Sequence, residues 1–464
     1  MRELAIVGPL MPATPRGAPL NPTDFPKILS PFSAQVLALR AQLSAFERLD
    51  PAAQAAARDV QLKELVRHAR RHSGYWQKKL SAYGSRARFD SLPVLSRADL
   101  QQHAHAMVCP PGTALPHTHQ TFVARTSGST GVPVEVTKGS PVYEIVYQAH
   151  SLRSFDWHAL DTARDLVAVR DAPDGTYSRA WGEVLAEIGW TGQASVRNMV
   201  EHSPEELWEW LRETTAPYLV TTAAMVARLA HIALADPRGP RRRLEAILTF
   251  GEAVTPEHRR AATEAFGARI IDRYSSEEVG WIAFQCPQHD HHHALTASTH
   301  VEIVDDDNRA VAPGQEGRVL VTSMHSHAMP IIRYDIGDRA IAGARCDCGI
   351  TLPVITQILG RQRSLIELPD GTSRLARLTG EHWRAIAPVS EYRVVQYRDG
   401  ELEAFVVAAC PLTPAHTLAM QTMLQQQLHA GLKVTVSQVE RIEWESRWKR
   451  IDVARVDRLR SDAA

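Results

Sequence analysis

The stretch Ala124-Arg-Thr-Ser-Gly-Ser-Thr-Gly-Val-Pro-Val134 organises the reading of this chain. From Thr126 to Gly131 every residue is small or hydroxylated, and Pro133 stops the run. Gly128 and Gly131 admit backbone conformations closed to residues with a Cβ. A loop of this kind turns several N–H groups inward and wraps a phosphate chain. The hydroxyls of Thr126, Ser127, Ser129 and Thr130 add donors suited to phosphate oxygens. No Gly-Lys-Ser/Thr follows, so it is not a Walker loop. Alone, the stretch reads equally well as a solvated Ser/Gly turn, and its surroundings have to decide.

The chain has 464 residues, enough for roughly two to four domains with sizeable cores. Apolar residues make up 44% and charged residues 22%, a soluble globular profile. Lys plus Arg and Asp plus Glu both number 52, which argues against nucleic acid or a membrane surface as the main partner. No apolar run approaches the ~20 residues of a transmembrane helix. The first residues lack the apolar core of a signal peptide. Cys109, Cys286, Cys346, Cys348 and Cys410 are too few for a disulfide framework in so long a chain. A cytoplasmic protein is expected.

Residues 1–30 hold six prolines and little periodicity, which predicts an irregular lead-in. Helical spacing follows over about 33–80, with Leu62, Leu65, Val66 and Ala69 on one face. Ser96 with Asp99 reads as a carboxylate variant of the capping box. The β-branched flanks of the hydroxyl-rich stretch predict a hairpin around it. A helix is expected near 141–154, with Tyr143 and Tyr147 one turn apart. Strands are expected at 166–169, 218–221, 246–250 and 269–272, alternating with helices that carry Met225 and run over Pro256–Phe266. Alternation at this spacing predicts a parallel sheet covered by helices, with ligands at the carboxyl ends of its strands. Gly251-Glu252 and Tyr274-Ser-Ser-Glu-Glu278 both fall at such ends.

A β-rich stretch follows, pairing 300–304 with 317–322 and running on through Ile332-Arg-Tyr-Asp-Ile-Gly-Asp338 to Gly360-Arg361. After Arg361 the composition shifts. A hairpin turns at Asp370-Gly371, a helix lies near 380–387, strands at 392–397 and 403–408, a helix at 414–430, and a last strand at 434–442. The fold expectation is α/β: a lead-in over 1–30, a large domain over 31–361 with parallel sheets and a β-rich subdomain, and a small mobile α+β domain over 362–464.

The order of these motifs resembles the adenylate-forming superfamily, and within it the phenylacetate-CoA ligase family. The resemblance runs from about residue 60 to the end and rests on five motifs spread over some 240 residues. It implies ATP-dependent adenylation of a carboxylic acid, then transfer of the acyl group to coenzyme A. Related proteins transfer to an amine, a hydroxyl or a carrier protein instead, and a catalytically weak relative that binds nucleotide or acyl-adenylate is the competing class. By resemblance, Thr126 to Gly131 hold the β- and γ-phosphates, and Gly251 and Glu252 line the adenine pocket. Tyr274 lies near the base, Glu278 faces Mg²⁺, Asp338 takes the ribose hydroxyls, and Arg361 marks a hinge. Tyr143, Tyr147 and Phe250 are the candidate contacts for a flat aryl acid. The oligomeric state is left open, a homodimer included.

Three departures stand out. Ser275 and Glu277 occupy places usually held by Gly and Ser/Thr. Gln362-Arg-Ser364 lacks the acidic residue that usually follows the hinge arginine. Arg447 stands in the place of the adenylation lysine, with Lys449 two residues on; the guanidinium keeps the charge with a different geometry, and Lys449 is the slight favourite.

Cys346-x-Cys348 is a tight thiolate pair, and one Cys plus one His would complete a tetrahedral zinc site. Some members of the family carry such a zinc. Cys286 supplies the third thiolate, and alignment of the following strand puts the histidine at His293, with His292 and His291 close rivals. No nucleotide motif contains one of these residues, so a structural site is expected.

Overall fold

A computed structural model of the chain describes residues 27–84, 87–110, 112–113, 120–126, 133–238, 243–361, 365–376, 378–444 and 452–456. The chain divides into two compact units, one ending at Leu359 and the other beginning at Gly360.

The first unit opens with helices set by their caps. The Ser30 side chain accepts from Ser33 N ahead of α1 (Pro31–Phe46), with Pro31 at the first helical position. Asp50 caps α2 (Pro51–His72), accepting from Ala52 N at 2.8 Å, and Arg70, Arg71 and His72 complement the dipole in its last turn. After the short α3 (Gly74–Lys79), α4 (Arg97–Met107) begins at the expected capping box. There Ser96 Oγ accepts from Asp99 N and Asp99 Oδ2 accepts from Ser96 N, both at 3.0 Å.

β1 (Gln120–Arg125) and β2 (Glu135–Ser140) pair antiparallel with Arg125 opposite Glu135, so the hydroxyl-rich stretch does connect a hairpin. Thr126 ties its base: Thr126 N donates to Val134 O at 3.0 Å, and Thr126 Oγ1 accepts from Val134 N at 2.9 Å. Ser127, Gly128, Ser129, Thr130 and Gly131 lie outside the described residues.

Beyond α5 (Val142–Trp157), strand and helix alternate. The elements are β3 (Leu166–Arg170), β4 (Gly175–Tyr177), α6 (Glu183–Glu187), β5 (Ala194–Asn198), α7 (Pro204–Glu213), β6 (Tyr218–Thr221), α8 (Ala223–Ala235), β7 (Ala246–Thr249), α9 (Pro256–Phe266) and β8 (Arg269–Ser276). β5, β3, β6, β7 and β8 run parallel, side by side. Alternate residues serve opposite faces. Leu166, Ala168, Val220, Leu248 and Ile271 pack with α1 and α5. Val167, Val169, Leu219, Ile247 and Ile270 pack with α7, α8 and α9.

β8 outruns its expected end at Asp272 because it changes partner. Up to Asp272 it is parallel to β7; from Arg273 it is antiparallel to β9 (Gly280–Gln285), with a bulge between Tyr274 and Ser275. The sheet then takes in β10 (His292–Ala294), β11 (Thr299–Val304), β12 (Glu316–Ser323), β13 (Tyr334–Ala342) and β14 (Val354–Arg361). The whole is twelve-stranded, in the order β11-β12-β13-β14-β10-β9-β8-β7-β6-β3-β5-β4. The antiparallel part covers a core of Ile282, Val319, Val321, Ile336 and Ile355, against which Leu65, Trp76 and Leu100 pack.

In the second unit, β15 (Leu365–Glu367) and β16 (Ser373–Leu375) form the expected hairpin, with Gly371 at φ +81. α10 (Gly380–Arg384), β17 (Val389–Gln396), β18 (Leu402–Ala408), α11 (Pro414–Gln427) and β19 (Val434–Gln438) follow. α10 stops three residues short of expectation, ahead of Pro388. The strand expected over 434–442 ends at Gln438, and the last strand is β20 (Val453–Arg455), parallel to β17. Three residues are too few for periodicity to reveal. The order β19-β18-β17-β20 packs on α10 and α11 around Trp383, Leu402, Met420 and Leu424. Arg447, Lys449 and the segment Gln362–Ser364 lie outside the described residues.

Candidate active site and metal centre

Two hydrogen bonds join the expected nucleotide motifs. Tyr274 Oη donates to Asp338 Oδ2 at 2.6 Å. Tyr334 Oη donates to Glu278 Oε1 at 3.1 Å, and Arg97 Nη1 lies 3.8 Å from the same oxygen. Glu278 and Asp338 are both 6% exposed, so these contacts are made with little water to compete. Gly251, just beyond β7, has φ +75, a conformation that favours glycine. Glu252 Oε2 accepts from Ala224 N at 2.8 Å and so binds the start of α8. Arg361 ends β14 directly after Gly360, whose φ is +101.

Sequence reasoning missed Lys138. It is 2% exposed, donates from Nζ to Tyr143 Oη at 2.9 Å, and lies 4.0 Å from the Tyr143 ring centroid. Burial pulls its ammonium down to about 8, against the charges of Glu277 and Glu278, which favour the proton. The signal was present: Val134, Val136 and Lys138 alternate along one hairpin edge, and all three are buried.

Lys138 opens onto a cavity also lined by Tyr143, Tyr147, His150, Glu278 and Trp281. Tyr143 stacks on Tyr147 at 6.1 Å and Tyr147 on Trp281 at 4.8 Å between centroids. His150 Nε2 lies 2.7 Å from Ser298 Oγ, and burial holds this imidazole at about 3, hence neutral. The cavity thus brings together Tyr143, Tyr147 and Glu278 from the expected set. Phe250, partly buried, packs on the apolar cluster shared by α1, α5 and the parallel strands.

The expected metal ligands converge. One ligand atom each from Cys286, His293, Cys346 and Cys348 lies within 4.8 Å of all the others. Cys286 follows β9, His293 is on β10, and Cys346 and Cys348 lie between β13 and β14. Cys286 Sγ is 3.8 Å from Cys346 Sγ, and Cys348 Sγ is 3.3 Å from His293 Nε2. A zinc tetrahedron has S–S edges of about 3.8 Å and S–N edges of about 3.5 Å, so the donor set fits. His293 Nδ1 faces Leu352 O at 3.2 Å, which holds the ring with Nε2 toward the thiols. Burial keeps the imidazole neutral, pulling it down to about 4. His292 turns the other way, Nε2 lying 2.9 Å from Asp272 Oδ2. Beyond the cluster, Thr351 N donates to Glu47 O at 2.9 Å and Thr351 Oγ1 to Leu49 O at 2.7 Å, fastening this loop to the turn between α1 and α2.

No family model and no curated protein matches the chain. Solved structures do. A 2-hydroxyisobutyryl-CoA ligase in the postadenylation state, in complex with R3-HIB-AMP, aligns over 90% of this chain and 92% of its own, at 20% identity and TM-score 0.69. The chain shares the fold of that ligase over most of its length. ATP-bound MatB from Rhodopseudomonas palustris aligns over 72% of this chain and 66% of its own, at 15% identity and TM-score 0.51. The anthranilate CoA ligase AuaEII in complex with anthranoyl-AMP gives 71%, 65%, 14% and 0.51 for the same four measures. No helix among the described residues is long and apolar enough to cross a membrane.

Proposed function

We propose that the chain is an AMP-forming acid–CoA ligase of the phenylacetate-CoA ligase type. The observation that carries this reading is the Tyr274–Asp338 hydrogen bond of 2.6 Å, which joins two motifs that the resemblance assigns to the nucleotide. An oxygen of the acid attacks the α-phosphorus of ATP, the bond to pyrophosphate breaks, and an acyl-adenylate results. The sulfur of coenzyme A then attacks the acyl carbon, AMP leaves, and the thiol proton passes to solvent. Positioning and fixed charge do most of the work in such steps.

In this reading Thr126 to Gly131 hold the phosphates and Asp338 the ribose hydroxyls. Glu278 would hold Mg²⁺, which supplies charge neutralisation on the phosphates. Lys138 adds a buried cation at the acid end of the cavity. The stack of Tyr143, Tyr147 and Trp281 favours an aryl acid. By resemblance, Arg447 or Lys449 supplies the adenylation cation. Cys286, His293, Cys346 and Cys348 would hold a structural zinc, which ties the ends of β9 and β10 to the loop before β14. Pyrophosphate release, measured over a panel of aryl and small aliphatic acids with and without coenzyme A, tests the assignment. Release with an acid and thioester formation on adding coenzyme A are expected; no release with any acid refutes it.

A further inference from the structure

Arg273 is a buried charge with no hydrogen-bonded partner among the described residues. It is 1% exposed, and the unpartnered atoms are Nε, Nη1 and Nη2. Other buried arginines are well served. Arg333 reaches Glu302, Leu92 O and Asn308 O, and Arg153 reaches Glu47 and Asp156. The carboxylate next to Arg273 in sequence is already taken: Asp272 Oδ1 accepts from Thr249 Oγ1 at 2.8 Å, and Oδ2 faces His292 Nε2 at 2.9 Å. A guanidinium kept dry and unpaired is costly, and folds rarely retain one without a use.

Its place points to that use. Arg273 shares the face of β8 that carries Ile271, the face turned toward α5. Arg170 ends β3 on the corresponding face. Both lie at the carboxyl ends of parallel strands, where ligands of open α/β sheets bind. The guanidinium lies 5.4 Å from the Trp281 ring centroid. Trp281 stacks on Tyr147 and Tyr147 on Tyr143, whose hydroxyl meets Lys138. Tyr147 and Trp281 both line the cavity. One row of rings therefore runs between two buried cations.

We propose that the acid taken by this cavity carries a second carboxylate, and that Arg273 receives it. A carboxylate matches the planar fork of guanidinium donors, two parallel bonds at a time. It would also answer the repulsion between Arg273 and Arg170, which, after burial, helps pull the Arg273 guanidinium down to about 10. The proposal rests on the ligase reading for the cavity, and names its substrate class as dicarboxylic acids.

The test is binding, without ATP, of dicarboxylic acids and of the monocarboxylic acids of equal length, by calorimetry and thermal shift on the full chain. Wild type should bind at least one diacid tenfold or more tighter than its monoacid, and Arg273→Met should abolish that preference. Arg273→Met should also raise Tm, because it removes an unpaired buried charge, whereas a structural role predicts a fall. Arg273→Lys should restore part of the preference. Equal binding of diacids and monoacids, no diacid bound, or a preference that survives Arg273→Met overturns the proposal. Pyrophosphate release over the same panel checks the ligase reading separately. Its absence with every acid overturns that reading, while the binding comparison still decides the role of Arg273.

Discussion

The phenol of Tyr274 donates to the carboxylate of Asp338 at 2.6 Å, tying β8 to β13 across 64 residues of chain. If Asp338 receives the ribose hydroxyls, Tyr274 orients the acceptor and Asp338 supplies it. Asp338→Asn should then raise KM for ATP about tenfold or more, a loss of about 1.4 kcal/mol. Tyr274→Phe should cost less, about 1 kcal/mol, because only the orienting bond goes. Steady-state kinetics of pyrophosphate release decide, and an unchanged KM in both variants removes this pair from nucleotide binding.

The four-ligand cluster predicts one zinc per chain by elemental analysis of the isolated protein. Cys346→Ser should lose the metal and lower Tm by several degrees, since metal binding is coupled to folding. Burial pushes the Cys348 thiol up to about 12, so loading must release protons and should weaken as pH falls. A metal-free protein of equal stability would contradict the site.

Lys138 ties stability and activity to pH in opposite senses. Its proton is held at about 8 in the fold and at about 10.4 in the unfolded chain. Between those values the unfolded chain binds more protons, so this residue makes stability rise with pH. The cation facing Tyr143, Glu277 and Glu278 is lost over the same range, so acid activation should fall as pH climbs through about 8. Lys138→Met should flatten both curves relative to wild type. Parallel denaturation and rate profiles test this, and identical profiles for the two proteins would sink it.

Glu47 closes the turn between α1 and α2 from inside. It accepts from Arg153 Nη2 at 2.5 Å and from Trp157 Nε1 at 3.0 Å, and is 3% exposed. Glu47→Leu leaves Arg153 with Asp156 alone and should lower unfolding stability by about 3 kcal/mol. Denaturant midpoints measure the change, and a loss below about 1 kcal/mol would show the pair to be dispensable.

Local chemistry made most elements legible. Ser96 announces its helix, and apolar runs such as Leu166-Val-Ala-Val169 mark strands buried on both faces. The spacing of Cys346 and Cys348 was enough to suggest a metal. What stayed hidden depends on partners distant in sequence. The continuation of β8 past Asp272 needs β9 beside it. β20 is three residues long and exists through β17. Lys138 and Arg273 look like ordinary surface cations until the fold buries them, because a charge inside a protein contradicts the pattern from which burial is read.

The change of partner within β8 has a consequence for how this protein can vary. Arg273 and Tyr274 are neighbours on one strand, so their side chains leave it in opposite directions, one toward α5 and the other toward Asp338. A shift of β8 by one residue would exchange them. If Arg273 receives the acid and Asp338 the ribose, any drift in the strand that retunes the choice of acid would disturb the nucleotide side at the same stroke. Substitution at position 273 alone leaves the backbone where it is. New acids should therefore be acquired by replacing that side chain, with the register of β8 held fixed.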